Sequence, residues 1–378
     1  MPPLHGFVQR SGQQLLTNGA PFRIAGANNY YLAYVEEDVQ NAVLDSVTAL
    51  KLNALRIWAF LDAEEPVPGR VYFQFWNSAK QSPDYHDGPD GLDRLDRAVA
   101  LASDRGLRLI LALTNNWPDF GGMPQYVKWF GLPAKNHFYR SDAAKQAYRE
   151  WVEQLILRRN SVTGRLYRDE PAILAWELSN EPRCETDDGK PLPDGVETLL
   201  AWVDEMSQFI RSLDSNHLIA VGDEGYFRHK HAGGNALFNG RYGVSCEELL
   251  GIGLVDFGTC HLYPQQMGRG MDPVEFGLMW IREHQHAGER ANKPMLLEEY
   301  GVLFGDAGEI QTESDRNRIF HSWLTEVENL GGVGDMLWML GLPKGPGQPY
   351  DPDHYVVSKP ESVAAVRDHA GRITKRQR

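Results

Sequence analysis

Apolar residues gather along the chain in eight short runs, near 22–28, 54–60, 108–115, 173–181, 218–223, 255–263, 294–300 and 334–340. Runs of this length predict strands. Between most of them the apolar spacing changes to three and four residues, which predicts helices over 39–51, 92–105, 141–160, 196–213, 272–291 and 312–330. Ser141-Asp142 and Thr312-Glu313-Ser314-Asp315 supply N-terminal caps. The fifth-to-sixth connection is irregular, with only 245–251 reading as helical. Eight strand–helix alternations, with no Pro/Ser-rich linker or low-complexity tract, predict an α/β fold: a single (β/α)8 TIM barrel forming one domain over residues 1–378. The competing doubly wound sheet wants a Gly-rich phosphate turn after its first strand, and Gly26-Ala27-Asn28-Asn29 does not supply one. Gly251-Ile252-Gly253 precedes a strand instead of following one and reads as a turn.

Long segments follow strand two (61–91), strand three (116–140) and strand five (224–245), on the side where barrel strands end and barrel enzymes build their sites. Tyr72, Phe73, Phe75, Trp76 and Tyr85 in the first of these either wall a cleft or form a satellite apolar cluster beneath a loop.

Charge narrows the partner. With 38 Lys and Arg against 51 Asp and Glu, the chain carries −13, which disfavours nucleic acid or an anionic membrane surface and suits a neutral substrate. Cys184, Cys246 and Cys260 are too few and too scattered for a disulfide framework or a zinc site. No apolar segment is long enough to span a bilayer, and the N-terminus lacks the basic-then-apolar run of a secretory signal. With no Asn-x-Ser/Thr sequon either, the chain is expected in the cytoplasm or as the mature form of a secreted protein, and as a monomer.

Two apolar runs end on carboxylates, Trp176-Glu177-Leu178-Ser179-Asn180-Glu181-Pro182 and Leu296-Leu297-Glu298-Glu299-Tyr300-Gly301. A pair of carboxylates on separate strand ends is what glycoside hydrolysis requires: one donates a proton to the leaving oxygen, and the other attacks the sugar carbon or activates water. Glu181 sits where Pro182 stops its strand. Glu298 and Glu299 are adjacent, so strand alternation turns only one inward, and Glu299 before Tyr300-Gly301 is the choice. Arg56 and Trp58 share one face of strand two, and His261 and Tyr263 one face of strand six. Arg56 either keeps a catalytic carboxylate ionised or pairs structurally with Glu177. Trp117 and Trp338, at strand ends, are the tryptophans placed to stack on a pyranose ring. No metal site is expected, since His284 and His286 diverge on a helix and His229 and His231 lie in a loop, and no Gly-x-Ser-x-Gly elbow is present. No cofactor is expected.

These motifs carry a resemblance. Leu55-Arg56-Ile57-Trp58, Thr114-Asn115-Asn116-Trp117 with Asp119-Phe120-Gly121-Gly122, Asn180-Glu181-Pro182-Arg183-Cys184, Gly222-Asp223-Glu224-Gly225-Tyr226, His261-Leu262-Tyr263-Pro264 and Glu298-Glu299-Tyr300-Gly301 follow in an order similar to glycoside hydrolase family 5. Within it the chain resembles the plant and fungal type of endo-β-1,4-mannanase, from about Phe7 to Trp338. The resemblance implies Glu181 as acid/base and Glu299 as nucleophile of a retaining double displacement on mannan, glucomannan or manno-oligosaccharides. It also implies that Arg56 and Tyr263 contact the nucleophile, that Asn180 binds the sugar 2-hydroxyl, and that His261 completes the polar shell. Trp338 would lie beneath the sugar, while Arg183 and Glu224 bind sugars or order the aglycone side. The mechanism then asks for a raised pKa at Glu181 and a low one at Glu299. An exo-acting β-mannosidase of the same family, with 61–91 closing the cleft, and a non-catalytic carbohydrate-binding protein are the alternatives.

Overall fold

Eight runs rich in Leu, Ile, Ala and Gly form the parallel strands β1 (Ile24–Asn28), β2 (Ala54–Trp58), β3 (Arg108–Ala112), β4 (Ile173–Glu177), β5 (Leu218–Ala220), β6 (Gly258–Leu262), β7 (Met295–Tyr300) and β8 (Gly334–Leu337). Every residue in them is buried, because helices cover the outer face and side chains fill the inner one. The chain is described by a computed structural model covering residues 4, 6–303, 310, 312–342, 357 and 360–375. The sheet runs in the order β5-β4-β3-β2-β1-β8-β7-β6. Its last edge closes through Asp256 N–H to Ile219 O at 2.8 Å and His261 N–H to Glu224 O at 3.1 Å, giving a (β/α)8 barrel.

The surrounding helices are α1 (Glu37–Ala49), α2 (Leu92–Asp104), α3 (Asp142–Ile156), α4 (Gly195–Leu213), α5 (Cys246–Leu250), α6 (Pro273–Ala291), α7 (Glu313–Leu330) and α8 (Pro360–Ile373). Their buried faces follow helical spacing, as in Ala144, Ala147, Tyr148, Trp151, Val152 and Leu155 of α3. Ser141 and Thr312 accept backbone N–H groups as caps of α3 and α7. Among the described residues no helix is long and apolar enough to cross a membrane.

Three features were not legible beforehand. An antiparallel ribbon, Val8–Ser11, Gln14–Thr17 and Ala20–Phe22, plugs the barrel floor by packing Val8, Leu15 and Phe22 against Ile24, Ala54, Ile110, Leu296 and Met336. A helix at Gly122–Phe130 lies within the segment after β3. The C-terminal α8 packs on α7, and its His369 bridges Glu328 (2.9 Å) and Asp335 (2.6 Å).

The 61–91 segment forms its own small sheet, Asp62–Ala63, Gln74–Asn77 and Ser82–Tyr85. Trp76 packs on Trp129 and Phe130 and Tyr85 on Trp151, outside the segment, while Tyr72 stacks on His86 within it. The satellite-cluster alternative is the one that holds.

Candidate active site

The inner face of the barrel changes character along its length. Ile24, Ala54, Ile110 and Leu296 fill the floor, while Asn28, Arg56, Glu177, His261, Glu298 and Glu299 crowd the C-terminal end. Charges buried this deeply persist only when paired. Arg56 does the pairing with every N–H it has. Nε and Nη2 donate to the two oxygens of Glu177, both at 2.7 Å, Nη2 also to Asn180 Oδ1 at 2.8 Å, and Nη1 to Asn28 Oδ1 at 3.1 Å and Glu299 Oε1 at 2.5 Å.

Beyond β4 the chain stays in register with both neighbours: Asn180 N–H donates to Thr114 O (2.9 Å) and Glu181 N–H to Gly222 O (2.8 Å). Glu181 takes φ 48°, a left-handed conformation uncommon for a residue with a side chain, which swings its carboxylate over the barrel mouth. There Trp117 Nε1–H donates to Oε2 at 2.6 Å and His261 Nδ1–H to Oε1 at 2.7 Å.

Strand alternation fails at the paired glutamates. Cys260 pairs with Leu297 but His261 with Glu299, so Glu298 is the extra residue of a β-bulge. Both side chains therefore reach Arg56, Glu299 at 2.5 Å and Glu298 at 3.6 Å, and the expectation that only one turns inward is corrected. Glu299 Oε2 also accepts from Tyr263 Oη at 2.5 Å. Glu298 Oε2 faces His261 Nε2 at 3.4 Å, and its Oε1 meets no N–H or hydroxyl donor. Burial, opposed by Arg56, lifts Glu177 to about 8, whereas at Glu298 the Arg56 charge and His261 outweigh burial and the shift is downward.

Oxygens of Glu181 and Glu299 lie within 4.8 Å of each other, and His261 Nδ1 falls within the same distance of both. Two carboxyls about 5 Å apart suit a retaining displacement. Above them opens a cavity of about 390 Å³ lined by Trp58, Trp117, Asn180, Tyr263 and Trp338 among others.

The two pKa shifts in the free state run in the opposite direction to those the mechanism asks for. Burial raises Glu181, but His261 and Trp117 as donors and Arg183 as a nearby charge outweigh it and bring it down to about 2. Burial raises Glu299, with the Glu181 charge adding to it and His261, Arg56 and Tyr263 only partly offsetting. His261 is the reason: burial disfavours its charged form, yet Glu299, Glu181 and Glu298 surround it and push its pKa well up.

Residues 5–329 match the family model described as GH family 5 beta-mannosidase-like. The chain belongs to glycoside hydrolase family 5. It is 33% identical to mannan endo-1,4-beta-mannosidase A of Aspergillus aculeatus over 371 residues, 97% of this chain and 90% of that protein. The endo-1,4-beta-mannanase from Rhizomucor miehei superposes with a TM-score of 0.88 at 33% identity, covering 98% of this chain and 100% of that one. The endo-beta-1,4-mannanase from Thermotoga petrophila gives a TM-score of 0.81 at 37% identity, covering 96% and 79%.

In this family 5 chain the expected site residues divide into three groups. Glu181, Glu299, Trp58, Trp117, Asn180, Tyr263 and Trp338 line the cavity. Arg56 and His261 lie fully buried beneath it and reach it through the side chains they hold, Arg56 through Glu299 and Asn180 and His261 through Glu181. Arg183 and Glu224 are outside the lining, joined by two 2.6 Å hydrogen bonds, with the guanidinium packed over Trp117 and Tyr242. Trp117 gives its N–H to Glu181 as well as a ring to the cavity. Tyr30, Asn115, Asp119, Phe120 and Gln266 also line the cavity and were not singled out. Asn115, Asp119 and Phe120 were within reach of inference, because they stand inside the motif that carries Trp117. No residue of 61–91 lines the cavity.

Proposed function

We propose that the chain is a retaining endo-β-1,4-mannanase in which Glu299 is the nucleophile and Glu181 the acid/base. The observation that carries this function is the pair of carboxylates within 4.8 Å at a barrel mouth, in a chain aligned nearly end to end with endo-acting mannanases.

Glu299 attacks the anomeric carbon while Glu181 protonates the departing glycosidic oxygen, and the glycosyl ester is then hydrolysed by a water that Glu181 deprotonates. Arg56 and Tyr263 orient the nucleophile, each holding one of its oxygens. The sugar being cleaved lies on Trp338, beside Trp58. Asn180 accepts from Arg56 with its oxygen and donates one amide hydrogen to Asn115 at 3.0 Å. Its second amide hydrogen is left for the sugar 2-hydroxyl. Mannose carries that hydroxyl axially and glucose equatorially, so the wrong epimer leaves a buried polar group unpaired as the transition state forms.

The experiment is digestion of linear β-1,4-mannan beside a soluble cellulose derivative. Mannan is cleaved far faster, and short manno-oligosaccharides appear from the first minutes. Equal specificity constants on the two polymers overturn the substrate assignment, and mannose released alone overturns endo action.

A further inference from the structure

Every nitrogen of the His261 ring is turned toward carboxylates. The ring is fully buried, its backbone fixed by His261 N–H to Glu224 O at 3.1 Å and by Trp280 Nε1–H to His261 O at 2.8 Å. Nδ1 lies 2.7 Å from Glu181 Oε1 and 3.5 Å from Glu299 Oε2, and Nε2 lies 3.4 Å from Glu298 Oε2. An ionised carboxylate only accepts, so satisfying both sides requires a proton on each nitrogen. We propose that Glu298 and His261 form a buried relay that stores the catalytic proton on Nδ1 and passes it to Glu181, with Glu298 the positioning residue that anchors the ring from behind.

This deepens the mannanase reading and rests on it. A free-state Glu181 held as carboxylate has no proton for the leaving oxygen. When sugar covers the site and excludes water, the ion pair loses solvation and its neutral form gains. The Nδ1–H bond then breaks and the Oε1–H bond forms along the existing 2.7 Å contact, turning imidazolium and carboxylate into two neutral groups with no net change of charge. Nε2–H stays on Glu298. After Glu181 gives its proton to the leaving oxygen it takes another from the attacking water and returns it to Nδ1. The other charged groups facing this pair are Glu299 on β7, Asp223 and Glu224 after β5, and Arg183, while Arg56 Nε lies 3.6 Å from the Glu298 oxygen that faces the ring. The bulge at Glu298 has a purpose in this scheme, since an unbroken strand would carry that carboxylate away from the ring.

The test is the pH profile of kcat/KM for Glu298→Gln on a manno-oligosaccharide. Without the negative charge behind it, the stored proton is lost at lower pH. The alkaline limb moves down by about one pH unit, a loss of about tenfold above the limb, with the plateau at lower pH kept within about threefold. On a dinitrophenyl β-mannobioside, whose leaving group needs no proton, the limb vanishes in both enzymes. A uniform loss at every pH with the limb unmoved overturns the relay and leaves Glu298 a structural residue. Should Glu298→Gln fail to fold, 15N spectra of the histidine-labelled wild-type enzyme decide: both His261 nitrogens protonated at pH 6 is the expected result, and a neutral ring overturns it. Intact manno-oligosaccharides after incubation with wild-type enzyme would sink the mannanase reading, whereas cleavage with an unmoved limb sinks only the relay.

Discussion

Replacing Arg56 by lysine keeps the charge and removes the geometry. The guanidinium makes five hydrogen bonds to four side chains, Glu177 twice, Asn180, Asn28 and Glu299. An ammonium has three donors radiating from one atom, so at least two of the five contacts are lost. Charge-assisted bonds contribute about 1.5–3 kcal/mol each, which makes the loss about 3–6 kcal/mol against a typical domain stability of about 5–15 kcal/mol. Urea unfolding should therefore show a much lower midpoint. Arg56 is also one of the groups opposing the upward push of burial on Glu299. With that opposition weakened, Glu299 stays protonated to higher pH, and because the nucleophile acts only when ionised, the acid limb of kcat/KM moves up. Loss of the single Arg56–Glu299 bond alone predicts a fall in kcat/KM of about 10- to 150-fold. A lysine variant with the wild-type midpoint and an unmoved acid limb would refute both the pairing scheme and the role given to Arg56.

Glu299→Ala should lose several orders of magnitude in turnover on every substrate, measured as reducing ends released from mannan. Glu181→Ala should lose comparable activity on mannan yet form the glycosyl ester rapidly from a dinitrophenyl mannobioside, seen as a burst of dinitrophenolate, with azide restoring turnover. At the C-terminal helix, burial lowers His369, but Asp335 and Glu328 outweigh it and the net shift is upward. A histidine raised in the folded state stabilises fully below its unfolded pKa, and that contribution disappears as pH climbs through the folded value. Urea midpoints should accordingly fall as pH rises above the ordinary imidazole range, and His369→Gln should flatten that slope.

The barrel was legible because the eight strands are short, mostly apolar runs, several of them ending in a polar or aromatic residue such as Asn28, Trp58, Glu177 or Tyr300. Helix positions followed from three- and four-residue spacing, with Ser141 and Thr312 marking two starts. Glu181 and Glu299 were legible as chemistry placed at strand ends. Glu298 was misread because alternation assumes an unbroken ladder, and nothing in Leu296-Leu297-Glu298-Glu299 announces a bulge set by two neighbouring strands. The direction of the two free-state shifts was hidden for a related reason. Arg56 was visible beside Glu299, but the contact of His261 Nδ1 with Glu181 joins residues 80 apart in sequence. The ribbon at 8–22 and the small sheet in 61–91 escaped notice because their strands run only two to four residues, too short for periodicity to register.

The stereochemistry of cleavage tests the double displacement most directly. Mannohexaose digested in deuterated buffer, with the anomeric protons followed by NMR from the first minute, should release new reducing ends as the β-anomer, the α signal growing later as mutarotation proceeds. Appearance of the α-anomer first would mean inversion at a single step, which two carboxyls within 4.8 Å leave no room for, and would contradict the assignment of Glu299 as nucleophile.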